Sequence, residues 1–247
     1  MNKAALTIAC FKWRRSAGGH VLPHVCDYTA EHVNILQRML ARHLTIPYRM
    51  VCITDDPEGV GCETIPLWDK CSELGGCFNR LYAFSPDMRG VLGQRFALID
   101  LDVVITGNCD HIFGLHGDFI IHRYQHDNCK RQYYNGSLMI MDAGARAAVW
   151  NSFRGQASVD SMRGDKSRIG SDQKWISTVL GPGERTLGQE VGIFEALRIG
   201  GRLPTTAPTW TKREMIPAHP VAACMVFFSG ARDPSCREHG WVRQHYV

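Results

Sequence analysis

Phe96-Ala97-Leu98-Ile99-Asp100-Leu101-Asp102-Val103-Val104-Ile105 sets an acidic, apolar, acidic triplet between two apolar runs. Four consecutive apolar residues, with Gly93 upstream and Gly107 downstream of the stretch, read as a short strand buried on both faces of an α/β sheet. Such a strand should not end in two carboxylates without a reason, because charge out of water is costly unless paired or metal-bound. In strand conformation Asp100 and Asp102 project to the same side. Two hard oxygen donors there suit Mg²⁺ or Mn²⁺, and such an ion suits a diphosphate. The triplet therefore predicts a metal–nucleotide site at a strand end. Two aspartates solvated in a turn at the sheet edge is the alternative that the triplet alone leaves open.

The chain has 247 residues, enough for a substantial core. Its 45% hydrophobic and 21% charged residues are those of an ordinary soluble globular protein. A net charge of +4 is compatible with an anionic substrate but too small to predict stable nucleic-acid binding. No apolar run approaches the roughly 18 residues needed to cross a bilayer, so no transmembrane segment is expected. The apolar piece from Ala4 to Cys10 reads as a first strand rather than a targeting segment. Ten cysteines, none in a Cys-x-x-Cys pair and several within apolar runs, read as reduced thiols in a cytoplasmic protein rather than a zinc site.

Outward from the triplet, strand and helix signals alternate. Leu6 to Phe11 and Tyr48 to Thr54 read as strands. Between them Thr29 caps a helix carrying Val33, Leu36, Leu40 and Leu44 at helical spacing, stopped by Pro47. Asp55-Asp56-Pro57-Glu58-Gly59 is a turn and Glu63 to Leu67 a short third strand. This order predicts right-handed βαβ units and a mostly parallel sheet in one domain. Asn79 to Phe84 reads as helical, Asp118 to His122 and Gly136 to Met141 as strands, and Ala143 to Phe153 as a helix. Ser152 to Arg168 is polar and glycine-containing, the pattern of a mobile loop. Ser171-Asp172-Gln173 caps a helix reaching Leu180; Gly181 to Pro220 carries little signal; Ala222 to Phe228 is a last strand before an irregular tail.

With these pieces in order the chain resembles the GT-A fold glycosyltransferases of family 8, the glycogenin and lipopolysaccharide galactosyltransferase group. Four stretches carry the likeness: Leu6 to Trp13; Phe96 to Asp102 with Asp110-His111-Ile112-Phe113 after it; Tyr134 to Asp142; and Gly170-Ser171-Asp172-Gln173. The resemblance implies a single domain, residues 1–102 binding nucleotide and 103–247 binding sugar and acceptor. It implies transfer of a sugar from a nucleotide-diphosphate donor, a UDP-sugar, with retention, to an acceptor that the sequence does not name. Asp100 and Asp102 would hold Mn²⁺ or Mg²⁺, with Leu101 between them at the donor. Phe11, Lys12 and Trp13 would line the base and ribose pocket, Asp55 would accept from ribose or base, and Arg80 would meet phosphate or donor sugar. Asn135 and Ser137 would bind sugar hydroxyls, and Asp172 or Gln173 would sit by the anomeric carbon, with Asp172 the charged stabiliser.

The chain departs from the family near its C-terminus. Ser229 stands where the family places a metal-binding histidine, and Asp233 where it places a diphosphate-binding lysine, with Arg232 alongside. That departure keeps a catalytically impaired nucleotide-sugar-binding relative in view. A haloacid-dehalogenase-type phosphohydrolase also carries a strand ending in Asp-x-Asp, but on its first strand, whereas about ninety residues with a complete βαβ pattern precede the triplet here. A nucleotidyltransferase would carry a Gly-rich basic loop after strand one, of which Ala17-Gly18-Gly19 is a poor version.

Overall fold

Every residue of Leu6–Lys12 is buried, and its side chains divide between two hydrophobic clusters. Leu6, Ile8 and Cys10 face one cluster, Ala9 and Phe11 the other. The same alternation holds for Met50 and Cys52 against Val51 and Ile53, and for Ala97 and Ile99 against Phe96 and Leu98. Strands apolar on both faces require cover on both faces, which is the α/β arrangement the sequence predicts.

The structure is a computed structural model that describes residues 6–13, 28–68, 70, 74, 76–124, 133–162, 171–195, 223–228 and 240–247. In chain order it contains β1 (Leu6–Lys12), α1 (Ala30–His43), β2 (Tyr48–Thr54), β3 (Glu63–Pro66), a 3₁₀ helix (Gly76–Phe84), α2 (Met88–Val91) and β4 (Arg95–Ile99). β5 (Val103–Ile105), α3 (Asp110–Phe113), β6 (Phe119–Arg123), β7 (Tyr134–Asp142), α4 (Ala148–Asn151) and α5 (Gln156–Ser161) follow. α6 (Asp172–Leu180), β8 (Thr186–Leu187), a 3₁₀ turn (Gln189–Val191), β9 (Ile193–Glu195), β10 (Met225–Phe227) and α7 (Gly240–His245) complete it.

The seven-stranded central sheet has the order β3-β2-β1-β4-β7-β6-β8. Its pairings are parallel except for β7, which runs against both β4 and β6. Because β7 is reversed, its N-terminal end lies beside the C-terminal end of β4, with Leu138 opposite Ile99. α1 covers one face through Val33, Ile35, Leu36, Met39 and Leu40; the 3₁₀ helix, α4 and α6 contribute to the cluster on the other. The chain enters β4 through Gly93, whose φ of +91° is a conformation that side-chain-bearing residues rarely adopt.

The triplet corrects one expectation. Asp100 to Asp102 are not part of a strand; β4 ends at Ile99 and the triplet turns the chain into a second sheet of order β5-β10-β9. The Asp100 N–H still donates to Ser137 O in the large sheet (2.9 Å), while Asp102 O accepts from the Phe228 N–H in the small one (2.7 Å). Other boundaries move as well. α1 stops at His43, four residues before Pro47, with the Leu44 N–H returning to Leu40 O. The segment read as a loop from Ser152 onward contains α5 over Gln156–Ser161, and the quiet segment after Gly181 supplies β8 and β9. The tail ends in α7. These short elements are held by tertiary contacts, which local periodicity does not report.

The six described cysteines, Cys10, Cys52, Cys62, Cys77, Cys109 and Cys224, form no disulfide. Burial pushes the Cys109 thiol up to about 12, the behaviour of a small core residue. Among the described residues no helix is long and apolar enough to cross a membrane.

Asp110 fastens α3 to the turn between α1 and β2. Its carboxylate accepts from the Thr45 hydroxyl (2.5 Å), the Thr45 N–H (2.7 Å) and Asn108 Nδ2 (3.1 Å). The Thr45 hydroxyl, then Asn108 and the Thr45 N–H, hold its pKa down at about 2. A depressed carboxylate contributes stability above its unfolded-state pKa, and that contribution is lost as pH falls from there through about 2. Thermal melts of Asp110→Ala and the parent chain should therefore differ most at neutral pH, with the gap narrowing toward pH 2. A gap that is flat across this range contradicts the role.

Candidate active site

The carboxyl edge of the central sheet gathers side chains from four distant segments. Asp100 follows β4, Asn135 and Ser137 sit near the start of the reversed β7, Arg80 comes from the 3₁₀ helix, and Asp172 and Gln173 open α6. Ser171 caps α6 by accepting from the Lys174 N–H (3.2 Å). The Ser177 hydroxyl, one helical turn further, accepts from the Tyr133 and Tyr134 N–H groups at 3.1 and 3.3 Å. That tie fixes the start of α6 over the start of β7. Acid at the first turn of a helix is favoured by its macrodipole, and here it also faces the site.

Arg80 is the hub. It is 6% exposed, yet its guanidinium reaches Asp100 Oδ1 (2.9 Å) through Nη1, lies 3.5 Å from Asp172 Oδ2 through Nε, and donates to the Gly136 carbonyl through Nη2. Burial opposes its charge, but Asp100 and Asp172 outweigh burial and raise its pKa above that of an ordinary arginine. Asp100 keeps about a quarter of its side chain exposed (26%). Burial pushes its pKa up; Arg80 and the Ser137 hydroxyl pull it down, and burial prevails.

Asp102 is different. It is buried, its Oδ1 has no hydrogen-bond partner, and burial together with Asp100 pushes its pKa well up. A buried carboxylate oxygen without a donor is costly, which marks it as a place for a positive ligand. Among the described residues no group of three His, Cys, Asp or Glu side chains stands ready to hold a metal. The chain offers instead a two-carboxylate half-site, and a Mg²⁺- or Mn²⁺-type ion fits it, since such ions are held by one or two carboxylates with phosphate oxygens and water completing the shell. Ser229, Arg232 and Asp233 lie outside the described residues, as do Ala17-Gly18-Gly19 and Gly170.

The expected base pocket is organised otherwise than by free side chains. Lys12 is 3% exposed, and its Nζ donates to Asp56 O (2.6 Å) and Asp56 Oδ2 (2.8 Å), closing the end of β1 onto the turn after β2. Phe11, 8% exposed, meets Trp13 and Trp68 edge to face at 6.3 and 5.3 Å. Trp13 is half-buried and Asp55 exposed at the rim of this edge. Leu101 is in the hydrophobic core, so only its main chain is available to a ligand.

Sequence reasoning missed two members of the site. His122, at the end of the segment read as a strand from Asp118, is completely buried against Phe227 with ring centroids 5.3 Å apart. Glu195, at the end of β9, is also buried and accepts from Asn135 Nδ2 (2.6 Å). The signal for Glu195 was an apolar pair running into an acid after Gly192, a weaker copy of the Asp100 pattern.

Gly136 is required by close approach. A Cβ there would lie 3.0 Å from Arg80 Nη2, 3.3 Å from Gln173 Cγ and 3.5 Å from Asp172 Oδ2. Arg80 cannot yield freely because two carboxylates hold it. Gly136→Ala should therefore cost about 1–3 kcal/mol of stability and displace Arg80. The check is denaturant unfolding together with a crystal structure; an unchanged midpoint and an unmoved guanidinium contradict it.

No protein-family model matches the sequence, and no curated protein sequence does. Solved structures do match. The galactosyltransferase LgtC, solved in complex with donor and acceptor sugar analogs, aligns over 96% of this chain and 93% of its own, with a TM-score of 0.56 and 12% identity. The glycosyltransferase GlyE of Streptococcus pneumoniae TIGR4 aligns over 76% of this chain with a TM-score of 0.47 and 14% identity, and in its apo form over 74% with 0.46 and 13%. The chain spans under half of GlyE, 46% and 45% of its length in the two structures. The alignment with LgtC spans nearly the whole of both chains and, with the mostly parallel seven-stranded sheet, shows that the chain has the GT-A glycosyltransferase fold.

Proposed function

We propose that this chain is a glycosyltransferase moving a sugar from a nucleotide-diphosphate donor, a UDP-sugar, to an acceptor, with Mn²⁺ or Mg²⁺ and with retention at the anomeric carbon. The observation that carries the reading is the convergence of Asp100, Asp102, Arg80, Asn135, Ser137, Asp172 and Gln173 at one sheet edge. That edge, beyond the carboxyl ends of parallel strands, is where open α/β sheets bind ligands. Residues 1–102 would serve the nucleotide and 103–247 the sugar and acceptor. The free thiols support a cytoplasmic location, and the net charge of +4 gives no reason for nucleic acid as a partner.

Asp100 and Asp102 are the residues that would hold the ion, which would supply Lewis-acid neutralisation of charge on the departing phosphate oxygen. Arg80, already buried and aligned, presents fixed positive charge to the same diphosphate. Asn135 and Ser137 offer hydrogen bonds to sugar hydroxyls. Asp172 places negative charge beside the carbon that becomes cationic, and Gln173 completes the wall. Phe11, Lys12, Trp13 and Asp55 form the base end, with Lys12 also bracing it through Asp56.

A second reading, binding of a sugar nucleotide without turnover, is favoured by one observation: Arg80 already occupies Asp100. A thermal-shift panel of nucleotide sugars with and without Mn²⁺, followed by product analysis, separates the two. Stabilisation by UDP-sugars that needs both Mn²⁺ and Asp102 supports the donor site; transfer or hydrolysis of the sugar then supports the enzyme, and its absence the binding relative. Indifference to every nucleotide overturns both. In the same panel Asp102→Asn, relieved of an acid whose charged form burial disfavours, should melt about 2–4 °C higher without ligand, the shift that about 1 kcal/mol gives a chain of this size. It should also lose the Mn²⁺-dependent donor shift. Equal melting and equal donor response would contradict the assignment of Asp102.

A further inference from the structure

Beneath the proposed sugar pocket lies a polar connection anchored on a buried carboxyl group, that of Glu195. Phe227 of β10 pairs with both Val103 and Glu195, so Glu195 stands in the same row of the small sheet as the residue after Asp102. Its side chain is 1% exposed. Its Oε1 accepts from Asn135 Nδ2 at 2.6 Å and lies 4.0 Å from His122 Nε2.

Asn135 has a donor end and an acceptor end, and both are used. Its Oδ1 accepts from the Ser137 N–H (2.9 Å), the Ser137 hydroxyl (2.7 Å) and Gln173 Nε2 (3.2 Å). Glu195 Oε1 serves as the acceptor for that amide nitrogen, so Glu195 dictates which end of the amide faces inward. With the NH₂ held by Glu195, the oxygen must face Ser137 and Gln173. Were the amide to turn over, its NH₂ would meet the Ser137 N–H and the Gln173 NH₂, donor against donor, in a buried setting where such a mismatch is costly. β7 and α6 thus carry the residues at the pocket, while the orientation of their polar groups is decided from β9.

We propose that Glu195 is a positioning residue: acting through Asn135, it fixes the directions in which Ser137 and Gln173 present hydrogen bonds to the donor sugar. The proposal rests on the reading of this site as a sugar-nucleotide pocket. It assigns Glu195 to the sugar and not to the nucleotide, because the chain Glu195–Asn135–Gln173/Ser137 runs along the wall formed by β7 and α6, away from the aromatic end at Phe11 and Trp13.

The test is calorimetric titration of the full chain, with Mn²⁺, by UDP and by UDP-sugars. The variants are Glu195→Ala, Glu195→Gln, Asn135→Ala and the double alanine variant. The parent chain should bind one UDP-sugar more tightly than UDP. Glu195→Ala should lose that sugar-dependent gain, about tenfold or more, while its affinity for UDP changes by less than about twofold. Glu195→Gln, which retains an acceptor oxygen, should recover most of the gain. The double variant should be no worse than Asn135→Ala alone, the non-additivity of two groups acting through one connection. Glu195→Met, of similar length and without an acceptor, serves if the alanine variant does not fold. An unchanged gain, equal losses for UDP and UDP-sugar, or additive effects overturn the proposal and leave the donor site standing. A parent chain that binds neither ligand overturns the donor reading and the proposal with it.

Discussion

The site depends on one buried guanidinium. Arg80 satisfies Asp100, approaches Asp172 and donates to the Gly136 carbonyl, so a single side chain ties together the end of β4, the start of β7 and the start of α6. Removing one member of a well-buried ion pair leaves the other charge uncompensated, at a cost of about 3–5 kcal/mol. That magnitude is comparable with a large part of a domain's net stability. The architecture can tolerate three carboxylates at one edge because the cation among them is held in place before any ligand arrives.

The reversal of β7 is the second constraint. In an all-parallel sheet the beginning of a strand lies at the edge opposite the end of its neighbours. Running β7 backwards brings Asn135-Gly136-Ser137 to the edge where β4 delivers Asp100, with Ile99 and Leu138 in register. The turn at the triplet then lowers Asp102 toward the small sheet, where β9 and β10 close beneath it. Asp100 remains accessible and Asp102 is buried.

Much of this was legible in the sequence, for local reasons. The first three strands and α1 follow from apolar runs, a cap and a helical period; β2 is observed over Tyr48–Thr54 as read. The triplet and the Ser171-Asp172-Gln173 start announced themselves because charged residues abut apolar runs. Other features depend on partners far along the chain. Nothing near Val103 says that it leaves the large sheet to pair with Phe227, more than a hundred residues later. Nothing near His122 says that Phe227 will cover it, and nothing near Lys12 that Asp56 will take its amine. Glu195 lay in a stretch whose glycines and prolines hid a three-residue strand.

The pairing of β5 with β10 also bears on how the molecule is made. A nascent chain threads out from its N-terminus, and the early βαβ layers can settle as they emerge. The underside of the acidic corner cannot, because Val103–Ile105 has no partner until Met225–Phe227 has left the ribosome. While the more than one hundred residues between the two strands are being made, a fully apolar three-residue edge stays unpaired, the kind of surface that invites mispairing. Assembly of the corner thus waits for a partner made more than a hundred residues later, and folding assistance acting at that point would matter more here than at the first three strands.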